Sequence, residues 1–245
     1  MPRIHRAGAL TALALALAWA LTGCFGGSPA AAPAPDAEAP AATAEPTPSA
    51  APVDPLTTVT AIVARPESLE LRDASDAVVA EFGYLDDVDQ AIDSLTVVFG
   101  ADPTAEDHPG SSHFSPSTAH RWGAFELWER RYVDRWAEFA GQERTLYKPS
   151  FGVIFTGPNS AGVALATEQG VVAGASWAEL SAMPGLQINP SGCSGPYLDY
   201  TTHEETWPDG TVHEQRFGVD FVVNGDGSSI ARVRAPLPIH EDGCA

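Results

Sequence analysis

The chain has 245 residues, with 13 Lys and Arg against 32 Asp and Glu and a formal net charge of −19. A surface this acidic repels phosphate backbones and offers no polybasic patch to anionic lipid heads, which argues against nucleic-acid binding and against docking to membranes by charge. The single lysine, Lys148, is followed by Pro149, so there is no phosphate-cradling loop ending in Gly-Lys-Ser/Thr, and no cofactor is expected.

The chain opens with Arg3, His5 and Arg6, continues through an uncharged, mostly apolar run over residues 8–20, and reaches Leu21-Thr22-Gly23-Cys24. The run is too short to span a bilayer stably, and the order of parts is that of a secretory leader. Leu21-Thr22-Gly23-Cys24 resembles the lipobox of bacterial lipoprotein precursors. That resemblance implies a signal peptide over residues 1–23, a diacylglycerol on the Cys24 thiol, and a mature protein anchored on the outer face of the cytoplasmic membrane. An ordinary signal peptide or an N-terminal membrane helix are the alternatives. Taking Arg3 and Arg6 from the 13 basic residues leaves 11 against 32 acidic ones, so the acyl chains rather than protein charge would do the anchoring. Residues 24–55 are rich in Ala and Pro and carry no apolar periodicity. They read as a disordered tether, biased by its prolines toward polyproline II, with a reach of at most ~95 Å.

Residues 56–245 are expected to form the exported domain. Val59, Ala61 and Val63 alternate as in a strand, Leu69 and Leu71 form a second short run, and residues 77–84 a third, with a hairpin turn at 73–76. At 86–99 the period changes: Val88, Ile92, Leu95 and Phe99 lie on one stripe of a helix that Gly100 ends. Residues 106–120 read as a long polar loop. Residues 120–139 fit both periods, and a strand over 122–128 followed by a short helix is the expectation. Strands follow at 151–155 and at 163–167 across a Gly157-Pro158-Asn159 turn, then a short helix over 176–182 capped by Ser176. Two hairpins close the chain, one through the Trp207-to-Thr211 turn and one through Asn224-Gly225-Asp226-Gly227.

These elements give an α+β fold of antiparallel sheets with a few short helices. A helix, a turn, a loop and a strand recur in each half, as two related helix-plus-sheet units over 56–148 and 149–245. The order is similar to that of tandem-repeat secreted inhibitor proteins and of small envelope-assembly lipoproteins. Residue by residue, the chain resembles uncharacterised lipoproteins of high-GC actinobacteria. The resemblance runs through the lipobox, the Ala-Pro tether, Val97-Val98-Phe99-Gly100-Ala101-Asp102-Pro103, Trp122-Gly123-Ala124-Phe125 and the terminal Asp242-Gly243-Cys244. It covers most of the chain and implies a location without implying an activity.

Besides Cys24 the chain holds Cys193 and Cys244, and export of one remaining pair invites a disulfide closing a loop of about 51 residues; two free thiols are the alternative. Glu106, Asp107, His108, His113 and His120 are a weak metal set, solvated loop histidines being the commoner outcome. If Trp207 faces Thr211, parity sets Glu205 against His213 and His203 against Gln215 on one face of a ribbon, either a pH-sensitive surface group or a second weak metal set. Gly192-Cys193-Ser194-Gly195-Pro196 has proline where a nucleophile elbow needs its second glycine. His203-Glu204-Glu205-Thr206-Trp207 and His213-Glu214-Gln215-Arg216-Phe217 lack the second histidine of a zincin helix. Asn224-Gly225-Asp226-Gly227-Ser228 puts Ala235 where a calcium loop needs its bidentate glutamate. Carboxylate pairs such as Asp86 with Asp87 or Glu204 with Glu205 carry little weight in so acidic a chain.

Trp122, Trp128, Tyr132 and Trp136 crowd a stretch that also holds Arg130, Arg131 and Arg135. Such residues mark interface centres, or else an aromatic core covered by solvated arginines. The combined expectation is a lipid-anchored, non-catalytic binding or envelope-maintenance module whose partner is an envelope protein, a glycan or a small ligand. An envelope hydrolase or metal-dependent enzyme with dispersed residues is the alternative.

Overall fold

The computed structural model describes residues 53–110, 115–131, 149–189, 192, 194–206 and 210–239. The leader, Cys24, nearly all of the tether, Tyr132, Arg135, Trp136, Cys193, Cys244, His113 and Trp207 lie outside the described residues, as does most of the helix expected after residue 128, of which residues 129 and 130 are strand instead.

The domain begins with a 3₁₀ turn over Pro55–Thr58, capped by Asp54, whose carboxylate accepts from the Leu56 N–H at 3.0 Å. Three strands follow as a meander: β1 (Val59–Ala64), β2 (Ser68–Asp73) and β3 (Val78–Gly83). Asp73 builds the β2–β3 turn by accepting from the Ser75 and Ala77 N–H groups at 2.8 and 3.1 Å, while Asp76 takes a φ of 65°. Short polar side chains that bond their own backbone favour this local geometry. Helix α1 (Val88–Phe99) starts at Asp87, which accepts from the Asp89 N–H, and stops at Gly100 in the left-handed region. It buries Ala91, Leu95 and Phe99, with Val88 and Ile92 half-buried beside them.

The stretch after α1 is more strand-rich than its sequence indicates. The polar residues expected to form a loop begin with β4 (Thr104–His108), which pairs antiparallel with β5 (Ser117–Trp122). The single strand expected over 122–128 is instead the end of β5, a two-residue turn, and β6 (Phe125–Arg130). Gly123 makes that turn at a φ of 63°, and glycine at the first of two turn positions suits a type II′ hairpin. A Cβ there would also stand 2.7 Å from the Ser160 hydroxyl, which donates to the Trp122 carbonyl.

β7 (Phe151–Phe155), β8 (Asn159–Ser160), β9 (Val163–Thr167) and α2 (Trp177–Ser181, capped by Ser176) come next, then β10 (Tyr197–Thr206), β11 (Val212–Val223) and β12 (Ile230–Ile239). β7 and β9 do not form a hairpin with each other. β9 pairs with β8 and, in parallel, with β1, whereas β7 lies between β6 and β12. Among the described residues the strands form a five-stranded sheet, β3-β2-β1-β9-β8, and a seven-stranded sheet, β10-β11-β12-β7-β6-β5-β4. Each sheet takes strands from both sides of residue 148, so the two sequence units do not each own a sheet. The molecule is mostly β, rich in antiparallel pairing, with two α-helices among the described residues.

The two sheets share one apolar interior. Ile62, Leu69, Leu71 and Leu165 come from the first sheet, and Phe125, Leu127, Phe151, Phe155, Val219 and Phe221 from the second; all are fully buried. Phe99 of α1 stacks on Trp122 at 5.5 Å and leans on Phe125 at 5.5 Å, and Phe125 reaches Phe155 at 5.6 Å. Tyr84, just past β3, meets Phe151 edge-on at 5.3 Å. Aromatic pairs at such separations add to the area they bury.

Residues 194–196 are held against β11 by backbone contact. The Phe221 N–H donates to the Pro196 carbonyl, and the Gly195 N–H to the Asp220 carboxylate at 3.1 Å. A Cβ on Gly195 would stand 2.0 Å from the Phe221 carbonyl oxygen, whereas one on Gly225 meets nothing within 4 Å. Gly195→Ala is therefore expected to lower the unfolding free energy by about 2 kcal/mol or more in a denaturant titration, and Gly225→Ala to change it by less than ~0.5 kcal/mol. Equal midpoints for the two variants would contradict this packing.

Candidate functional site

The aromatic-arginine stretch divides between the two faces of its sheet. Trp122 is 5% exposed and donates its indole N–H to the Ala101 carbonyl at 2.8 Å, so it is a core residue with no surface to offer a partner. Trp128 lies on the opposite face, half-buried. Its indole N–H donates to Glu126 at 2.8 Å, His108 stacks on it at 4.8 Å, and the Arg121 guanidinium sits 5.7 Å from its ring centroid. Arg121 in turn binds Glu106 at 2.5 Å. Arg130 extends over Gly152, where a Cβ would come within 3.1 Å of its guanidinium, and Arg131 donates to Thr118 and, at 3.3 Å, to Asp107. On the Trp128 face Glu126, Arg121 and Glu106 engage one another while the buried His108 Nε2 has no hydrogen-bond partner, and Arg131, Thr118 and Asp107 meet on the opposite face.

The register also separates the first histidine-carboxylate set. Glu106 and His108 share the face of Trp128, whereas Asp107 and His120 are on the other, bound to Thr118 at 2.7 Å and Glu129 at 3.2 Å respectively. In the β10–β11 ribbon His203 stands opposite Gln215 and Glu205 opposite His213, as the parity argument requires. His203 turns to Glu67 at 3.2 Å; the side chains of Glu205 and His213 lie outside the described residues. Among the described residues no three His, Cys, Asp or Glu side chains converge as metal ligands. Asp86 accepts from the Gly83 N–H and Asp87 caps α1, so that acidic pair serves the backbone. Ser194 bonds the Asn189 amide at 2.5 Å.

Asp220 is the buried carboxylate that sequence reading missed. It is 1% exposed and receives both arms of Arg234, at 2.9 and 2.5 Å, from the directly opposite position on β12. Burial pushes its carboxyl above the usual range, against the pull of Arg234 and the Gly195 N–H. The pair closes the β11–β12 ladder and fixes residues 194–196.

A polar groove of about 300 Å³ lies where the β1–β2 turn meets β10, lined by Arg65, Pro66, Glu67, Ser68, Glu70, Glu81, Asp199, Tyr200 and Thr201. Backbone geometry shapes it. A bulge between Leu198 and Tyr200 puts Asp199 at a φ of 46°, and Gly218 on the facing strand leaves room: a Cβ there would stand 3.1 Å from the Asp199 carbonyl oxygen. Asp199 comes within 3.9 Å of Arg65, which binds Glu168 at 2.7 Å. Arg72 bridges Glu70 and Glu168 at 2.5 and 2.6 Å, and Glu67 accepts from Thr201 at 3.1 Å. Glu81 stands directly across from Glu70 in the β2–β3 register. Tyr200 is 48% exposed, with Tyr197 edge-on at 5.9 Å and the Arg216 guanidinium 5.7 Å from its ring centroid. The lining residues run from Arg65 to Thr201 in sequence, and no local motif links them. The like-charged Glu70 and Glu81, on facing strands of a predictable hairpin, are the one signal that could have been read.

Burial alone raises the Glu168 carboxyl, but hydrogen bonds from Arg65 and Arg72 outweigh it and hold the group below its ordinary value. A lowered folded-state value means stability that is present above 4.5, the ordinary glutamate value, and lost as pH falls through the folded value. Glu168→Gln is thus expected to cost up to about 1 kcal/mol at neutral pH, with the gap to wild type closing below pH 4.5 in unfolding curves taken across pH. A pH-independent gap would show that the carboxylate's charge is not what holds the two arginines.

No protein-family model, curated protein or solved structure matches this chain. The class that the fold defines is a β-rich domain of two sheets on one core, with a polar groove at their junction.

Proposed function

We propose that this protein is a lipid-anchored envelope protein whose domain is a non-catalytic binding module, with the groove as its binding site. The lipobox and the Ala/Pro-rich run over residues 24–55 support an anchor and a disordered tether on the outer face of the cytoplasmic membrane. The observation that carries the binding reading is the groove itself, an open polar hollow of about 300 Å³ at the C-terminal end of β1, with Arg65, Arg72, Glu70 and Glu168 fixed by ion pairs beside it. The ionic groups around it are bound to one another, an arrangement that orients donors and acceptors for recognition.

A disulfide between Cys193 and Cys244 would tie the segment before β10 to the segment after β12, two strands apart in the same sheet. With Cys24 lipidated, the denatured and unreduced protein is expected to show no titratable thiol.

The reading is tested with the full chain, solubilised in detergent, immobilised and incubated with extracted cell envelope. Capture of an envelope component is expected from wild type and not from Asp199→Ala/Tyr200→Ala. Capture unchanged in that variant but lost in Trp128→Ala would overturn the groove and move the site to the aromatic-arginine face. In cells, Cys24→Ala is expected to leave the membrane fraction, and its retention there would overturn the lipid anchor.

A further inference from the structure

We infer that β4 is a detachable edge strand whose docking on the seven-stranded sheet is tightened by a proton on His108. β4 and β10 are the opposite edges of that sheet, and the groove lies beside β10, so this property stands apart from ligand binding. Little holds β4 in place. Among the described residues it pairs with β5 alone, and four of its five side chains, Thr104, Ala105, Glu106 and Asp107, are exposed. An edge strand with no apolar anchor keeps its position through one backbone ladder and a few side-chain contacts, and such segments open locally at low cost.

Three side chains of β4 reach the rest of the sheet. Glu106 accepts from Arg121 at 2.5 Å, and on the opposite face Asp107 accepts from Thr118 at 2.7 Å and Arg131 at 3.3 Å. His108 lies on Trp128, with ring centroids 4.8 Å apart and planes 29° from parallel. The stack reaches across β5, where Ala119, between Glu106 and Trp128 in the register, raises only a methyl group. The two carboxylates keep their charge through the neutral range. A hydrogen bond from Arg121 holds the Glu106 carboxyl below its ordinary value, and bonds from Thr118 and then Arg131 do the same for Asp107. Of the three kinds of side chain, imidazole is the one that changes charge between about pH 5 and 8.

Neutral, the ring gains the stack alone, for its Nε2 is buried without a hydrogen-bond partner, 3.9 Å from the Glu106 Oε1. Protonated, it becomes a cation on the indole face, with the Glu106 carboxylate fixed beside it by Arg121. The indole belongs to β6, so that contact exists only while β4 is docked. The other charged groups around the ring do not cancel the gain. Arg121 is engaged by Glu106 and Glu126, at 2.5 and 3.3 Å, and Glu126 also accepts the Trp128 indole N–H. Arg130 extends over Gly152 on β7, and Ser117, directly opposite His108, is neutral. Asp107, Arg131, His120 and Glu129 are bonded to one another or to Thr118 on the other face. Docking of β4 therefore strengthens as pH falls.

Hydrogen exchange of the full chain in detergent micelles, corrected for the intrinsic effect of pH and read as protection factors, measures the opening of β4 directly. Protection over residues 104–108 and along β5 is expected to rise roughly threefold from about pH 7.5 to about pH 5.5, the scale of an exposed cation–π contact. His108→Phe keeps a stacking ring that takes no proton, and its protection should not change with pH. Trp128→Leu should lose the rise as well, with β4 exchanging faster at both ends of the range. His120→Gln, which removes the imidazole bound to Glu129 on the other face, should keep the wild-type rise. Unfolding midpoints establish that each variant folds, and His108→Gln serves where His108→Phe does not. A flat profile in wild type, an equal rise in His108→Phe, or a rise abolished by His120→Gln overturns the proton-tightened strand.

Discussion

Phe99, Trp122, Phe125 and Phe155 make one continuous run of ring contacts from α1 through the β5–β6 turn to β7, and both sheets close on it. Among the described residues a single apolar cluster takes side chains from strands of both sheets, so the two sheets bury against one common interior. This explains why the chain passes from β7 in one sheet to β9 in the other and returns: each crossing adds residues to the same core. It also explains why Trp122, one residue from a surface turn, points inward. Hydrophobic burial is proportional to area and indifferent to sequence distance, so residues from Val59 to Ala235 contribute to one cluster.

Charge is organised around that core in two ways. At the surface the acidic excess is broken into local groups, such as Arg72 with Glu70, Asp76 and Glu168, or Arg121 with Glu106 and Glu126. The solvent-exposed members of these groups, such as Asp76 and Glu106, contribute little to stability, whereas Arg72 and Glu70 are largely covered. Asp220 and Arg234 differ, because the carboxylate is buried and its desolvation is offset only by a two-armed partner and a backbone donor. Such a pair fixes register: a shift of one residue between β11 and β12 would leave a buried charge alone.

The groove arises from the same economy. A bulge is needed where β10 leaves the regular ladder, and it aims Asp199 at the turn of the other sheet while Gly218 gives its backbone space. The approach of Asp199 to Arg65 and of Thr201 to Glu67 is a consequence of where that irregularity falls.

Much of the local structure was legible in the sequence. The first three strands, α1 with its Asp87 and Gly100 caps, the strands at 151–155 and 163–167, the Ser176 cap and the two closing hairpins follow from periodicity and turn chemistry, which act within a few residues. The edge strand β4 was not legible, because four of its five side chains are exposed and show no apolar alternation. The β5–β6 turn was obscured by aromatic residues that satisfy helical and strand periods together. Sequence by itself determined the leader pattern, the acidic balance and most element positions, since these depend on composition and on neighbours along the chain. Only the tertiary structure decided which strands share a sheet, which tryptophan is core, the burial of Asp220 and the existence of the groove. Those depend on residues far apart in sequence meeting across a common interior, and no local preference encodes such a meeting.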